Sequence, residues 1–354
     1  MIVAAYGNDI AKNTYEALAA SDIGSFLKPD FAVSIKPNLV TTRPASDGAT
    51  THPEVVEGII LYLRDFGVSK IEIIESSAIS TDTKRAYKIC GYEELSRKYN
   101  VPLFDLKADR HSTLKHGEYD IAIYRKALDT DFLINVPVLK GHSQTRLTCC
   151  MKNLKGCIPD SEKRRFHTIG LHKPIAALSA LIKTGYCVVD GICGDLSFEE
   201  GGTPVETNRI IAGRNPLLVD SLCAALIGYK PDEIGYLSHG KKLGLGDYYS
   251  ADTKIIELNP QNKPVHQTRS GRTADRYQRL IDEDSACSAC YSSLIYALHR
   301  LGGKTHTSGK IHIGQGFRGK SSDGIGVGDC TRGFAKCVPG CPPKATDVID
   351  ALSR

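Results

Sequence analysis

The sequence predicts an α/β fold: a largely parallel sheet with crossover helices, followed by a small C-terminal cysteine-rich α+β domain. Over the first two-thirds of the 354 residues, short apolar segments typical of strands alternate with segments of helical periodicity and length. The alternation ends near residue 259, where polar and proline residues take over. Beyond that point, five of the twelve cysteines fall between residues 287 and 341.

The elements of the first part follow from these patterns in chain order. Strands are predicted at residues 31–35, 70–74, 101–104, 119–124, 132–136, 186–190 and 209–212, and helices at residues 53–66, 83–99, 173–183 and 216–227. Pro53 supports the start of the first of these helices, because a first-turn residue needs no N–H donor. Helices between consecutive strands act as crossovers, so most strands are expected to run parallel.

The chain is longer than a single hydrophobic core usually grows, so two domains are expected. We place the boundary at residue 258, with an α/β domain for an anionic substrate over residues 1–258 and a cluster-binding domain over residues 259–354. In the second domain we expect a charged helix from about Ala274, a helix over residues 292–301 and a strand over residues 311–314.

Composition and missing motifs exclude several classes of protein. With 41% hydrophobic and 24% charged residues, the chain is typical of a folded globular protein. No apolar run reaches about 18 residues and no signal-peptide pattern opens the chain, so we expect a cytoplasmic protein without a membrane partner. Neither common nucleotide-binding fingerprint is present, and no Gly-x-Ser-x-Gly or His-Glu-x-x-His motif indicates a hydrolase.

Positive charge is concentrated between Lys140 and Lys173. This stretch has eight lysines and arginines against two acidic residues, a net charge of +6, whereas the whole chain has +5. Phe166 is its single aromatic residue, so the base-stacking partners typical of nucleic-acid binding are missing and no nucleic-acid partner is expected. We favour a pocket for an anionic small molecule. A solvated basic face, or a docking face for an acidic protein, are the alternatives.

Polar side chains follow three predicted strands at the point where each strand ends: Lys36, Asn38, Lys140, His142 and Asp190. In an open parallel sheet, ligands bind in the crevice outside the carboxyl ends of the strands. A further polar group follows in Lys152-Asn-Leu-Lys155, and lysines suit a carboxylate or phosphate. The predicted substrate-binding residues are Lys36, Asn38, Lys140, Lys152, Asn153 and Lys155.

His142 is the predicted catalytic proton donor, since imidazole titrates near neutral pH. Asp190 is expected to orient His142 or to take part in the proton transfer.

Cys287 and Cys290 are three residues apart at the predicted start of a helix, which places both sulfurs on one side of it. The free N–H groups of that helix start favour negative charge. Soft thiolates in such an arrangement suit an iron–sulfur cluster or zinc, and a disulfide or free thiols are a further alternative. Four of the cysteines before residue 287 are interpreted as core residues: Cys90, Cys187, Cys193 and Cys223. Cys149, Cys150 and Cys157 are interpreted as helix packing residues, and a redox or ligand role is the alternative for these three.

The segment Val338-Pro-Gly-Cys341-Pro-Pro resembles the Gly-Cys-Pro-Pro ligand turn in the small iron–sulfur subunits of NADH:quinone oxidoreductases and nickel–iron hydrogenases. This resemblance implies one [4Fe–4S] cluster, with ligands Cys287, Cys290, Cys330 and Cys341. Cys337 is the alternative to Cys330, because Cys-x₃-Cys is also a workable chelate. Zinc is the alternative metal, although zinc sites usually have two Cys-x₂₋₄-Cys knuckles and only the first is present.

A second resemblance concerns the first part of the chain. An ordered series of motifs covers roughly residues 30–250: Lys36-Pro-Asn-Leu, Lys140-Gly-His, Lys152-Asn-Leu-Lys-Gly, Val188-Val-Asp-Gly-Ile and Glu200-Gly-Gly-Thr-Pro. The series resembles the bacterial and archaeal family of unknown function numbered 362. Many members of that family carry cluster-binding cysteines, which agrees with the C-terminal cysteines here. The resemblance implies no reaction, because the family has no general assigned activity.

Three functions are consistent with these features. The leading hypothesis is an iron–sulfur oxidoreductase that reduces an anionic organic substrate at the strand ends, with ferredoxin or another carrier as electron donor. The second is an electron-transfer or accessory protein that docks an acidic partner through the basic stretch. The third is a redox-neutral isomerase or lyase with a structural or Lewis-acid cluster. Association into a homo-oligomer is left open.

Overall fold

The computed structural model describes residues 1–79, 81–264, 272–307 and 309–353. Its strands are β1 (Ile2–Tyr6), β2 (Ala32–Lys36), β3 (Lys70–Glu75), β4 (Leu103–Asp105), β5 (His111–His116), β6 (Tyr119–Tyr124), β7 (Phe132–Asn135), β8 (Lys140–His142), β9 (Arg146–Thr148), β10 (Thr184–Asp195), β11 (Pro204–Gly213), β12 (Ile255–Leu258), β13 (Ile281–Glu283), β14 (Ile311–Ile313), β15 (Ser322–Val327) and β16 (Phe334–Val338).

The helices are α1 (Ile10–Ala19), α2 (Pro53–Asp65), α3 (Thr83–Ile89), α4 (Tyr92–Tyr99), α5 (Arg125–Asp129), α6 (Cys150–Asn153), α7 (Asp160–Thr168), α8 (His172–Leu181), α9 (Pro216–Leu226), α10 (Gly235–Lys242), α11 (Ser288–Arg300) and α12 (Ala345–Leu352).

An eight-stranded sheet forms the centre of the first part, in the order β12-β1-β11-β10-β7-β2-β3-β4. Its neighbouring strands pair in parallel, except that β11 runs antiparallel to both β1 and β10. β11 is reversed because a loop without a crossover helix joins it to β10, whereas a parallel partner needs a longer crossover connection. The predicted largely parallel α/β fold is therefore confirmed.

Apolar side chains cover both faces of this sheet, as a buried parallel sheet requires. Along β10, successive side chains alternate between the faces: Tyr186 and Val188 join the core under α1 and α2, while Cys187 and Val189 join the core under α8 and α9. Since both faces are occupied by packing, the edge formed by the carboxyl ends of the strands is where a binding site can open.

The cysteine-rich part has a sheet and an apolar core of its own. Four parallel strands in the order β13-β14-β15-β16 pack against α11 and α12 around buried residues such as Leu294, Ile313 and Val348. Phe198 of the first part also joins this core. β12 ends at Leu258 and still belongs to the large sheet, and the domain boundary at residue 258 stays a prediction.

Three predicted elements differ from the structure. The helix predicted over residues 83–99 is two helices, α3 and α4, because the chain turns at Gly91, whose φ of +82° lies outside the helical region. The charged helix predicted from Ala274 is wrong: two short 3₁₀ turns lead directly into β13. The strand predicted at residues 119–124 exists as β6, but it pairs with β5 in a separate hairpin rather than in the large sheet.

Candidate functional site

A cavity of about 300 Å³ opens at the carboxyl ends of β2 and β3. Its lining combines charged residues of the first part with Cys287 and Pro342 of the cysteine-rich part. The polar residues that line it include Lys36, Asn38, Glu75, Lys152, Asn153, Lys155, Lys163, His167, Glu199 and Glu200. All of the predicted substrate-binding residues except Lys140 therefore meet at one cavity.

Lys36 and Glu75, the last residues of β2 and β3, form a buried ion pair in the cavity wall. Nζ of Lys36 lies 2.9 Å from Oε2 of Glu75 and donates to the Pro37 carbonyl at 2.8 Å. The backbone at Gly156 rests against this pair: a Cβ there would lie 2.1 Å from Oε1 of Glu75. A side chain at position 156 would therefore displace the carboxylate of Glu75, and glycine lets the loop after α6 close over the ion pair.

Asn153 links the ion pair to its neighbours. Its Oδ1 accepts hydrogen bonds from Nζ of Lys36 at 3.2 Å and from Nδ2 of Asn38 at 2.8 Å. Its own Nδ2 donates to Oδ1 of Asn135 at 2.8 Å. These side chains come from β2, the loop after it, β7 and α6, so the network forms only when the sheet is assembled.

Lys140 does not line the cavity, which corrects its predicted role in substrate binding. Its Nζ donates to Oδ1 of Asn38 at 3.2 Å and to the carbonyls of Ala49 at 2.7 Å and Glu199 at 2.9 Å. Burial lowers the pKa of Lys140 to about 7, although the charge of Glu199 opposes that shift. The side chain cross-links three loops behind the cavity rather than contacting a ligand.

Glu199 is the carboxylate that connects Lys152 to His142. Its Oε1 accepts a hydrogen bond from Nζ of Lys152 at 2.6 Å, and its Oε2 lies 2.8 Å from Nε2 of His142 without hydrogen-bond alignment. Burial alone would raise the pKa of Glu199, but His142 and Lys152 together hold that pKa well below its usual value. Glu199 is therefore ionised and acts as an acceptor.

His142 lies behind Glu199 and is not among the residues that line the cavity, and its role as a proton donor to the substrate stays a prediction. The backbone N–H groups of Gln144 and Thr145 donate to its Nδ1 at 3.1 and 3.0 Å, which places the proton of the neutral ring on Nε2. Burial lowers the pKa of His142 to about 4 despite the charge of Glu199. The ring is neutral at pH 7, and Glu199 separates it from the cavity.

Asp190 pairs with His52 and not with His142, which corrects its predicted orienting role. Its Oδ2 accepts the backbone N–H of His52 at 2.8 Å and lies 2.8 Å from Nδ1 of the same residue. Its Oδ1 accepts the backbone N–H of Ile192 at 3.1 Å. Asp190 thus holds the start of α2 against β10, at a place that does not line the cavity.

Lys155 faces the cavity and forms no ion pair with a carboxylate of the described chain. Its Nζ lies 3.4 Å from Nε2 of His167, whose Nδ1 has no hydrogen-bond partner in the described residues. Burial and then the charge of Lys152 lower the pKa of Lys155 to about 7. Burial and then the charge of Lys155 lower the pKa of His167 well below its usual value. An anionic group of a ligand would supply the opposite charge that this position lacks.

Glu75, Glu199, Lys163 and His167 line the cavity but carried no predicted role. Lys163 donates to Oγ of Ser76 at 2.8 Å and to the carbonyl of Ser77 at 2.8 Å, and so holds the loop after β3. A signal was present for Lys163 and His167, because they are four residues apart and therefore on one face of α7. Glu199 immediately precedes the Glu-Gly-Gly-Thr-Pro motif.

The basic stretch, the predicted alternative docking face for an acidic protein, mixes buried and exposed cations. Lys140, Lys152 and Lys163 are between 0% and 5% exposed, and they point into the network behind or around the cavity. Arg164 and Lys173 are exposed, and the other three cations are partly exposed. Docking of an acidic protein through this stretch stays a prediction.

Four of the C-terminal cysteines come together near the cavity. Cys287 immediately precedes α11, Cys290 lies in its first turn, and Cys330 and Cys341 follow β15 and β16. Burial, and then the charges of Cys287, Cys341 and Cys330, raise the pKa of Cys290 to about 12. The sulfurs are thus close enough for their charges to act on one another.

The Sγ atom of Cys337 contacts Thr331 and Gly328. It lies 3.5 Å from Oγ1 of Thr331 and 3.7 Å from the carbonyl oxygen of Gly328. Cys330, by contrast, accepts a hydrogen bond from Nε of Arg318 at 3.3 Å and lines a second cavity together with Cys341. Cys330, and not Cys337, is among the cysteines whose charges raise the pKa of Cys290, and the choice of Cys330 as the fourth ligand stays a prediction.

The spacing of these sulfurs is wider than a single metal ion requires. All five C-terminal cysteines are described, and no three of their Sγ atoms lie within 4.8 Å of one another. One zinc ion with Zn–S bonds of about 2.3 Å would hold its thiolates roughly 3.8 Å apart. The soft thiolates of this part of the chain suit a metal cofactor.

A second, fully buried group comprises Cys149, Cys150 and Asp220, whose ligand-type atoms lie within 4.8 Å of one another. The carboxylate of Asp220 accepts the backbone N–H groups of Cys150 at 2.7 Å and Met151 at 3.0 Å. Asp220 therefore satisfies the first N–H groups of α6. The burial predicted for the seven cysteines before residue 287 is also observed.

A family model described as "Domain of unknown function (DUF362)" matches residues 33–225, which is more than half of the chain. The chain belongs to this family. The match includes the strands that carry Lys36 and Glu75 and ends within α9, before the cysteine-rich part.

A curated relative, the thylakoid-associated protein sll1697 of Synechocystis, is 26% identical over 234 residues, which cover 63% of this chain and 71% of that protein. Among the helices of the described residues, none has the length and apolar character needed to cross a bilayer. The cytoplasmic location stays a prediction.

Two solved structures show distant likeness. The lactate racemase apoprotein from Thermoanaerobacterium thermosaccharolyticum matches with a TM-score of 0.42 and 12% identity, over 68% of this chain and 56% of that one. A protein from Thermotoga maritima matches with a TM-score of 0.37 and 17% identity, over 52% of this chain and 51% of that one. The chain thus spans about half the length of each, and neither likeness bears on the chemistry of the cavity.

Proposed function

We propose that this DUF362 protein is an iron–sulfur oxidoreductase that reduces a small anionic organic substrate. One observation carries the proposal: a single cavity of about 300 Å³ is lined by lysines of the α/β part and by Cys287 of the cysteine-rich part. A substrate held there by its anionic group lies directly beside the cysteine group. Such a reaction needs an anion-binding site and a redox centre at the same cavity.

The donor set fits a [4Fe–4S] cluster held by Cys287, Cys290, Cys330 and Cys341. No three of their Sγ atoms lie within 4.8 Å of one another, and a cluster in which each thiolate binds a different iron atom needs a wider spacing than a single zinc ion does. Cys287 caps α11, whose free N–H groups and dipole favour the negative charge of such a centre. When bound, the cluster supplies electrons one at a time.

The protein's own residues hold the substrate and supply a proton. Lys155 faces the cavity without a carboxylate partner, so it binds the anionic group of the substrate. With its pKa lowered to about 7 by burial, Lys155 also holds a transferable proton near neutral pH. Reduction of a double bond takes two electrons and two protons, and solvent at the open side of the cavity can reprotonate the lysine between steps. Lys155 thus takes the role first predicted for His142.

Anaerobic purification followed by analysis of iron, sulfide and zinc, with EPR spectroscopy of the reduced sample, tests the proposal. We expect iron and sulfide in equal amounts, about four of each per chain, and a paramagnetic signal that disappears on oxidation. Zinc without sulfide would contradict the cluster. Conversion of a substrate in the absence of any reductant would instead indicate a redox-neutral isomerase or lyase.

Binding of sulfate, whose charge is constant above about pH 3, tests the role of Lys155. Below its pKa of about 7 Lys155 is positively charged, and above that pH it becomes neutral, so sulfate affinity should fall as the pH rises through 7. We expect Lys155→Gln to weaken binding about tenfold at pH ~6 and to flatten the pH dependence, as measured by calorimetry. Lys115→Gln, at an exposed position of β5, is the matched control. An unchanged pH profile in Lys155→Gln would contradict the assignment.

A further inference from the structure

The cysteine group also borders a second cavity, of about 320 Å³. Cys330 and Cys341 line it together with Arg318 and Arg332, whereas Cys287 lines the first cavity. The two linings share no residue. The cysteine group is therefore accessible at two separate places, one with the buried lysines and one with surface arginines.

The surface around the second cavity is positively charged. Residues 318–344 carry five lysines and arginines and two aspartates, a net charge of +3. All five cations are exposed: Arg318, Lys320, Arg332, Lys336 and Lys344. Lys320 is paired with Asp284, with its Nζ 3.7 Å from Oδ2. Of the two aspartates, Asp329 is already paired with Arg332 at 3.1 Å. Cys341 itself is exposed near the end of this sequence segment.

The positive charge extends beyond what a small ligand would contact. Lys320, Lys336 and Lys344 do not line the second cavity, yet they lie on the same short segment as its two arginines. A field spread over several exposed cations steers a macromolecule with an opposite charge and raises its association rate. Weak electron-transfer contacts bury little surface, so they do not require a large patch.

We infer that the surface formed by Arg318, Lys320, Arg332, Lys336 and Lys344 docks a small acidic electron-carrier protein, which delivers electrons to the cysteine group from the side of Cys330 and Cys341. This inference rests on the proposed oxidoreductase function. Electrons then enter at the exposed second cavity, while the substrate occupies the first cavity beside Cys287. Docking and substrate binding use different residues, so both partners can be bound at once.

The test measures association of the anaerobically purified protein with an acidic plant-type [2Fe–2S] ferredoxin by stopped-flow mixing. We expect the association rate to fall steeply with added sodium chloride. The double variant Lys336→Glu, Lys344→Glu should associate about tenfold more slowly at low salt and approach the unmodified protein at high salt. The control double variant Lys115→Glu, Lys242→Glu makes the same charge change at exposed sites outside the segment, and should stay within about twofold.

Equal slowing in both double variants, or an association rate that is independent of salt, would overturn the docking inference. Specific inhibition of ferredoxin association by sulfate at constant ionic strength would also overturn it, since it would identify the second cavity as a small-anion site. Ferredoxin could fail to bind although the iron and sulfide content and the binding of sulfate at Lys155 are as expected. That result would contradict the docking inference and leave the proposed oxidoreductase function intact. If ferredoxin binds with the expected salt dependence but iron and sulfide are absent, docking stands and the oxidoreductase function falls.

Discussion

Replacing Cys330 with serine is expected to abolish assembly of an intact four-iron cluster, whereas replacing Cys337 with serine should leave iron and sulfide content within about a fifth of the unmodified protein. The reason is geometric. Cys330 belongs to the group whose charges act on Cys290, while the Sγ of Cys337 contacts Thr331 and the carbonyl of Gly328. Serine is a poor ligand for iron and changes the side-chain volume little. Iron and sulfide per chain, and the EPR signal after reduction, measure the effect.

Cys337→Ser is the matched control, because it makes the same chemical change seven residues away in the same part of the chain. Loss of cluster in Cys337→Ser with retention in Cys330→Ser would reverse the assignment. The melting temperature of the cluster-free proteins should be recorded alongside. This separates loss of a ligand from unfolding of the small sheet.

Replacing Lys36 with methionine is expected to lower the free energy of unfolding by about 3–5 kcal/mol, because it leaves Glu75 buried without its cation. Both side chains are almost completely inaccessible, at 0% and 3% exposure, and their charged atoms lie 2.9 Å apart. Buried charges of this kind are costly when a partner is removed, although the intact pair itself contributes little. Urea denaturation monitored by circular dichroism gives the change in free energy.

The double variant Lys36→Met, Glu75→Gln distinguishes this explanation from a simple loss of packing. Removing both charges should recover a large part of the stability, since no uncompensated carboxylate then remains. Lys12→Met, which removes the exposed partner of Glu16, should change the stability by less than about 1 kcal/mol. A loss below about 1 kcal/mol in Lys36→Met would mean that water reaches Glu75 and that the pair is not enclosed.

The alternation of apolar strands and amphipathic helices was sufficient to predict the large sheet, because burial on two faces leaves a clear pattern in the sequence. Reasoning from strand ends placed Lys36 and Asn38 at the edge of the sheet, and both line the cavity, whereas Lys140, placed there in the same way, does not. Lys152, Asn153 and Lys155 were predicted from a separate polar motif, and they line the same cavity. Prediction of individual elements failed where the outcome depended on a local turn. Gly91 divides the helix predicted over residues 83–99, and the residues after Ala274 form short turns although their charge pattern suits a helix.

The partners of individual side chains could not be predicted, because they depend on contacts between residues far apart in the chain. Asp190 lies beside His52 across 138 positions, and Lys140 reaches the carbonyl of Glu199 across 59. Each of these polar groups had several sequence-compatible partners. The fold selects one, because a buried charge is tolerated only where donors and acceptors are in place.

By itself, the sequence determined the α/β class, the concentration of polar and basic residues at the strand ends and the presence of a thiolate group suited to a metal. Each of these follows from residue type and spacing, which are properties of a short segment. The tertiary structure alone decided that His142 is enclosed, that Lys155 lines the cavity without a carboxylate partner among the described residues, and that Cys287 lines the same cavity. These outcomes depend on which atoms water can reach, and solvent access is settled only when distant segments pack together.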